Sequence, residues 1–365
     1  MAAEAPTTVR RQGSSWRHQL QQAWLQRGPL AITLWPISWL YGAAWALRTL
    51  LYRLGIKRSH RLPVPVVVVG NVVVGGAGKT PTVIQIVRHL QAAGWQTGVI
   101  SRGHGRSRVA VQAVMPDSDP ALVGDEPTLI AQATGVPVVV GRDRVAAGLH
   151  LLKKHPEVNL IVSDDGMQHW ALQRDVTVVV FDARGTGNGW LLPAGLLREP
   201  WPARSWGNGP LLVVQTGLSR LPAWPCPAHA APRRLAPYAI NAHGEQRSLG
   251  DFQASAALGA LAGIAQPDAF FDMLRQLGLP VHHTLDLPDH ASTTDLLAAL
   301  AHHPDVITWL CTEKDAVKLF PAFASAFAHT PDVWAIPLEQ TIEPAFFMAL
   351  DAALPLSSRH GHQTP

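Results

Sequence analysis

From Pro65 onward, short wholly apolar runs alternate with stretches whose apolar residues recur every three or four positions, the signature of a mostly parallel sheet covered by helices. Val66 to Gly70 reads as the first strand, buried on both faces. After a glycine-rich stretch, Val83, Ile86, Val87 and Leu90 share one helical face, and Gly94 stands where that helix would end. The same pattern predicts strands over Thr97 to Ser101, Val136 to Gly141, Leu160 to Ser163, Val176 to Phe181 and Leu211 to Val214, with helices over Asp125 to Thr134 and Asp143 to Lys154. Gly185 to Pro210, rich in Gly, Pro and Trp, reads as a long surface segment, and the Pro-rich stretch Leu221 to Pro237 as a domain boundary. Beyond it a smaller α/β unit is expected, with strands over Ala256 to Ile264 and Val306 to Thr312 and helices over Asp268 to Leu277 and Thr293 to Ala301.

Upstream, Gly28 to Leu47 is an uncharged run of 20 residues, about long enough to cross a bilayer as a helix. Pro36 and Gly42 interrupt it, and Trp35, Trp39, Tyr41 and Trp45 are spread along it instead of gathering at its ends. Arginines flank both sides, which gives no orienting bias. An interfacial or re-entrant segment accounts for these facts better than a span, and a buried core helix accounts for them least. A cleaved secretory signal is not expected, because the glycine-rich loop, read below as a nucleotide-binding loop of the cytoplasm, follows closely.

Composition sharpens this division. The net charge of +4 hides an asymmetry: nine basic residues precede Leu62 against one acid, Glu4, and the rest of the chain is net acidic. With 365 residues and 47% hydrophobic content the chain can bury a core of two domains. Its two cysteines, Cys226 and Cys311, support neither a disulfide framework nor a zinc site, and fit a reducing compartment. Three parts are expected: residues 1–62, a basic and hydrophobic membrane-associating segment; 63–230, the larger α/β domain; and 231–365, the smaller one.

The chemistry concentrates in the loop after the first strand. Val73-Val74-Gly75-Gly76-Ala77-Gly78-Lys79-Thr80, between a strand and an amphipathic helix, has the form of a phosphate-binding loop, with Val73 where the strict motif has glycine. Its amides can converge on phosphate oxygens, Lys79 can reach the β- and γ-phosphates, and the Thr80 hydroxyl can ligate Mg²⁺. Such a loop needs a carboxylate at the end of another strand for the metal, and Leu160 to Ser163 runs into Asp164-Asp165. Asp125, by spacing alone, reads as a helix cap followed by Pro127, and His290 as one of 17 histidines. The fold expected is thus α/β and P-loop NTPase-like, a mostly parallel sheet flanked by helices, with a smaller C-terminal α/β domain and an N-terminal membrane-associated helical segment.

Together with these motifs stand Ser101-Arg102-Gly103-His104-Gly105-Arg106, Gly124-Asp125-Glu126-Pro127, Asp164-Asp165-Gly166-Met167-Gln168-His169, Leu197-Arg198-Glu199-Pro200, Pro288-Asp289-His290 and Thr312-Glu313-Lys314-Asp315-Ala316-Val317-Lys318. The ordered set, from about Pro29 to about Pro337, resembles the tetraacyldisaccharide 4′-kinase family of lipid A biosynthesis. The resemblance implies that Lys79 and Thr80 hold ATP and Mg²⁺, that Asp164 and Asp165 organise metal and phosphate, and that Asp125, assisted by His290, deprotonates a sugar hydroxyl. Glu126 and His169 would line the same cleft. Arg102, Arg106 and Arg198 would either contact the acceptor's 1-phosphate or form structural ion pairs. The partners implied are an acylated disaccharide 1-phosphate and an anionic membrane surface, not nucleic acid, with oligomeric state left open. The location implied is the cytoplasmic face of the bacterial inner membrane, peripheral or monotopic. Two alternatives are a nucleotide switch or accessory protein, ATPase or GTPase, since Thr312-Glu313-Lys314-Asp315 has the look of a guanine-reading loop, and a membrane scaffold retaining an inert loop.

Overall fold

The structure is a computed structural model, and it describes residues 7–8, 15–76, 78–103, 110–115, 117–202, 209–217, 224–255, 257–324 and 331–355. Its larger sheet has eight strands in the order Gln112–Val114, Val138–Val140, Thr97–Ser101, Leu160–Asp164, Val66–Gly70, Val176–Phe181, Leu211–Thr216 and Ala228–Ala231. All neighbours are parallel except the first pair. Val66 to Val69 are fully buried in its middle, which is what a β-branched run with no polar alternation requires. The helix Lys79–Ala92 buries Val83, Ile86, Val87 and Leu90 against the sheet, the face the sequence pattern predicts.

Strand order reverses around Val66–Gly70, so the carboxyl ends of Leu160–Asp164, Val66–Gly70 and Val176–Phe181 open into one crevice, the usual ligand position in such sheets. Val69 pairs with Asp164, which sets that carboxylate beside the start of the phosphate loop. Asp182 immediately follows the strand on the other side.

The second sheet has seven strands, in the order Thr7–Thr8, Val281–Asp286, Leu258–Ala262, Thr308–Thr312, Asp332–Ile336, Tyr238–Asn241 and Gln246–Ser248. Two cores cover its faces, one around Phe252, Phe270 and Phe271 and the other around Trp309 and Leu319. An antiparallel ribbon, Arg233–Leu235 with Leu338–Gln340, carries the chain between the sheets and back. The last helix described, Pro344–Ala353, then packs Phe346 and Leu350 into the core of the first sheet, and Ile342 and Leu354 join that core too, although all four fall within the expected 231–365 unit. We propose the two sheets as the two domains, with that helix counted in the first.

The N-terminal segment forms helices Ser15–Leu25 and Pro29–Arg53. The second runs through Pro36 and Gly42 without a break, although Pro36 deprives it of a backbone donor. It is fastened from outside: Ser38 Oγ donates to the Leu191 carbonyl at 2.9 Å and accepts from the Ala194 amide at 3.0 Å, and Gly42 lets Leu191 approach the backbone closely. The partner stretch is therefore not the surface segment expected over Gly185 to Pro210 as far as residue 202; residues 203–208 lie outside the described residues. Ala194, Leu196, Leu197 and Glu199 are buried within it, because it is wedged between the long helix and the phosphate loop. The Val74 amide donates to the Leu196 carbonyl at 3.0 Å and the Arg198 amide to the Val72 carbonyl at 2.7 Å.

Candidate active site

The phosphate loop turns into its helix at Gly78, whose φ of 77° is open to glycine and strained for any other residue. Lys79 begins the helix, and its Nζ lies 3.2 Å from Asp165 Oδ1. Thr80 is buried one residue on. Val73 and Val74 are held by the brace just described, and Gly75 and Gly76 complete the described loop; Ala77 lies outside the described residues.

The two strand-end acids differ. Asp164 is fully buried and accepts from Ser101 Oγ at 2.9 Å. Burial, with the charges of Glu126 and Asp165 adding to it, pushes its carboxyl up to about 7. Burial also acts to raise Asp165, but Lys79 and Arg198 outweigh it and hold that carboxyl low. Asp165 is strained at φ 49°, and Arg144 Nη2 donates to its carbonyl at 3.1 Å.

Asp125 opens the helix Asp125–Thr134, but it does not cap it. Gly124, at φ 99°, is the cap residue, and the Asp125 carboxylate turns instead toward the second domain. There His290 Nδ1 stands 3.1 Å from both carboxylate oxygens and Lys318 Nζ 3.0 Å from Oδ2. Burial would raise Asp125, yet the His290 hydrogen bond and the charges of Lys314 and Lys318 overcome it, so its carboxyl sits well below the ordinary carboxylate range. An ionised carboxylate only accepts, so Nδ1 of His290 carries the proton and donates. His290 has φ 64°, placed by the turn in which the Ala291 amide donates to the Pro288 carbonyl.

Lys314 closes the group, 2.9 Å from Asp289, 3.5 Å from Glu126 and 3.8 Å from Asp125. Acids of the first domain are thus neutralised by lysines of the second. Sequence reasoning quoted Lys314 and Lys318 within a motif but gave neither a role. The signal was their spacing of four in the first turns of the helix Glu313–Ala324, which points both the same way. Arg144, Arg184 and Arg233, each set against the site, were also missed; an isolated arginine carries no pattern.

Glu126 and Asp289 line a cleft between the domains together with Gly76, Gly78, Lys79, Thr80 and Lys314. The cleft holds about 220 Å³, and its lining also includes the apolar side chains of Leu129, Ile264, Phe270, Met273, Ile336 and Leu338. His169, expected in the same cleft, is not among the residues that line it; its Nε2 accepts the Arg144 amide at 3.3 Å. Burial, then the charge of Arg144, lowers its imidazole to about 4, so it is neutral near pH 7. Arg198 faces Asp165 electrostatically, Arg102 is exposed just beyond Ser101, and Arg106 lies outside the described residues.

Asp315 cannot read a guanine. Its oxygens accept the Gly263 amide at 3.1 Å and the Thr312 hydroxyl at 2.7 Å, and it is buried. That removes the observation favouring a GTPase switch.

Among the described residues no three His, Cys, Asp or Glu side chains are grouped as a metal cage. The donor set at the loop still fits Mg²⁺: hard oxygens only, from Thr80, Asp164 and Asp165, with Asp164 Oδ1 buried and lacking a hydrogen-bond partner. Mg²⁺ ordinarily takes one or two carboxylates and completes its shell with water and phosphate oxygens.

Comparison with known proteins gives the family. The sequence profile of the family described as tetraacyldisaccharide-1-P 4′-kinase matches residues 30–355. The tetraacyldisaccharide 4′-kinase of Acidovorax ebreus (strain TPSY) is 51% identical over 94% of this chain and 96% of its own length. That of Methylibium petroleiphilum is 50% identical over 98% and 99%. A crystal structure of LpxK from Aquifex aeolicus in complex with ATP is similar over 89% of this chain and all of that one, at 26% identity and a TM-score of 0.70. On the profile match and these identities, the chain belongs to the tetraacyldisaccharide-1-P 4′-kinase family.

Proposed function

We propose that the protein transfers the γ-phosphoryl group of ATP to the 4′-hydroxyl of a tetraacyldisaccharide 1-phosphate, a step of lipid A biosynthesis, at the cytoplasmic face of the bacterial inner membrane. The observation that carries this reading is the Asp125–His290 pair, assembled from two domains beside a cleft that the phosphate loop lines together with their chain neighbours Glu126 and Asp289. In this reading the nucleotide base lies against the apolar side chains of the cleft and its phosphates run along Gly75 to Thr80. Thr80 with Asp164 and Asp165 would hold Mg²⁺, which when bound neutralises charge on the transferring phosphate.

Asp125 accepts the hydroxyl proton as the sugar oxygen bonds to the γ-phosphorus and the bond to the β-phosphate oxygen breaks. Its low carboxyl makes it a weak base, but a loose phosphoryl-transfer transition state asks mainly for orientation, and His290 fixes the carboxylate by donating to it. Lys79 balances charge that gathers on the phosphates. Arg102, exposed and one residue past Ser101, which bonds Asp164, is the candidate contact for the acceptor's 1-phosphate.

The long helix supports a surface position over a span. It is apolar and long enough to cross a bilayer, yet Ser38, Tyr41 and Arg48 fasten it to the catalytic domain along much of its length. Ile37, Trp39, Leu40 and Leu47 face outward, ready for the headgroup region. The acceptor's acyl chains hold it to the bilayer by about 0.8 kcal/mol per buried CH₂, so the enzyme must come to it.

Purified protein given labelled ATP, Mg²⁺ and detergent-solubilised tetraacyldisaccharide 1-phosphate should place the label in the lipid. Label only in free phosphate would overturn the kinase reading in favour of a switch, and no turnover would favour a scaffold.

A further inference from the structure

Arg233 belongs to none of the motifs above. It lies on the ribbon that joins the two sheets, opposite Gln340 in register. Both strands of this ribbon reach the end of the phosphate loop. Gln340 Nε2 donates to Thr82 Oγ1 at 2.9 Å, and Thr82 Oγ1 donates to the Gly78 carbonyl at 3.1 Å. Arg233 lays its guanidinium against Gly78, so closely that a Cβ there would collide with it, and it donates to Thr216 Oγ1.

A second guanidinium, that of Arg184, stands at the other end of the loop, near Gly75, and donates to the Val74 carbonyl at 3.2 Å. Asp182 grips Arg184 directly, 2.6 Å from Nη2, and also accepts from Gln266 at 3.2 Å. On Arg233 it acts as a neighbouring charge. Burial lowers the Arg233 guanidinium to about 10, and Asp182 works against that, so the group stays cationic near neutral pH while largely stripped of water. Two guanidinium groups and Lys79 therefore surround a loop of phosphate-binding form, and Arg233 lines the cleft together with Gly76, Gly78, Lys79 and Thr80. A desolvated guanidinium gains most from an anion that offers paired oxygens, as phosphate does.

We propose that Arg233 contacts the phosphates of the bound nucleotide directly, carried to them by the ribbon between the domains. This rests on the reading of the loop as a nucleotide site. The geometry brings phosphate binding and the inter-domain ribbon to one side chain, so a triphosphate in the loop holds the ribbon as well.

The test compares Arg233→Ala and Arg233→Lys with the wild-type full chain, by calorimetric titration with Mg·ATP and with adenosine. ATP affinity should fall about 10- to 100-fold in the alanine variant, as for a lost charge-assisted hydrogen bond, and less in the lysine variant. Adenosine affinity and the KM for the lipid acceptor should not change. Unaltered ATP affinity, or equal losses for ATP and adenosine, would overturn the proposal, the second by showing a structural role only. Should both variants fail to fold, phenylglyoxal modification of wild-type Arg233 decides: ATP should slow it and adenosine should not, and no slowing by ATP counts against direct contact. Wild-type protein that bound no ATP would instead sink the kinase reading itself.

Discussion

A carboxylate meant to receive a proton from a sugar hydroxyl must be ionised, oriented and dry, and at Asp125 each condition has its own cause. Lys314 and Lys318 with the His290 hydrogen bond keep it ionised, His290 orients it, and its place against these groups of the second domain leaves it buried. Asp125→Asn keeps the shape and removes the proton acceptor, so kcat should fall about 10²- to 10⁴-fold while ATP affinity, read by calorimetry, stays level. A loss confined to ATP affinity would rule out the role. His169 gives a pH prediction. Its imidazole is held near 4 by burial and by Arg144, with Arg174 and Arg48 adding to this and Asp143 opposing. The unfolded chain takes up that proton at about 6.5, so neutral His169 contributes stability above pH 6.5 that is lost as pH falls toward 4. In urea titrations between pH 7.5 and 4.5, His169→Gln should lose less stability than wild type; parallel curves would refute the assignment. At this scale the sequence was only partly legible. Lys79, Thr80 and the Asp164-Asp165 pair announce themselves by position after a strand, whereas Asp125 and His290 are 165 residues apart and acquire meaning only in contact.

Between elements, the decisive contacts are polar links from helices to irregular chain. Asn188 shows this most clearly. Its Nδ2 donates to the carbonyls of Ala23 at 3.0 Å and Ala194 at 2.8 Å, and its Oδ1 accepts the Trp190 amide at 2.9 Å. One buried amide therefore joins the first helix to the brace behind the phosphate loop. Asn188→Ala should cost at least about 1–3 kcal/mol, because buried backbone groups lose their partners, and the urea midpoint should fall with it. Protease nicking near residues 15–30 should rise in parallel; an unchanged midpoint would show that water replaces the amide without loss. Strands were the most legible elements: Val66–Gly70, Thr97–Ser101 and Val176–Phe181 coincide with their predicted limits, because a buried parallel strand excludes charge and reads as a short run rich in β-branched residues. The brace was not legible, since Gly, Pro and Trp mark irregular chain without saying whether it is covered.

For the whole molecule, the N-terminal segment is both surface and scaffold. Removing residues 1–62 would also remove Arg48 from the Gln168 carbonyl and Tyr41 from the Arg198 carbonyl, so loss of activity after truncation would say nothing specific about membranes. Point changes separate the two roles. Trp39 is 65% and Leu40 73% exposed, and replacing both with Glu should weaken co-sedimentation with anionic vesicles about tenfold or more, from the lost apolar burial, while thermal unfolding stays in place. Undiminished binding would put the membrane contact elsewhere. By itself the sequence determined the α/β class, the central strand and loop, the strand-end acids and the basic aromatic start of the chain, because each is set by neighbours along the chain: periodicity, glycine spacing and local charge. Tertiary structure alone decided that the last helix returns to the first core, that lysines of one domain neutralise acids of the other, and that a guanidinium from the ribbon lies on Gly78. Those depend on groups that folding brings together from distant parts of the chain, where burial, with little water left to screen them, turns a charge or a polar atom into a strong constraint.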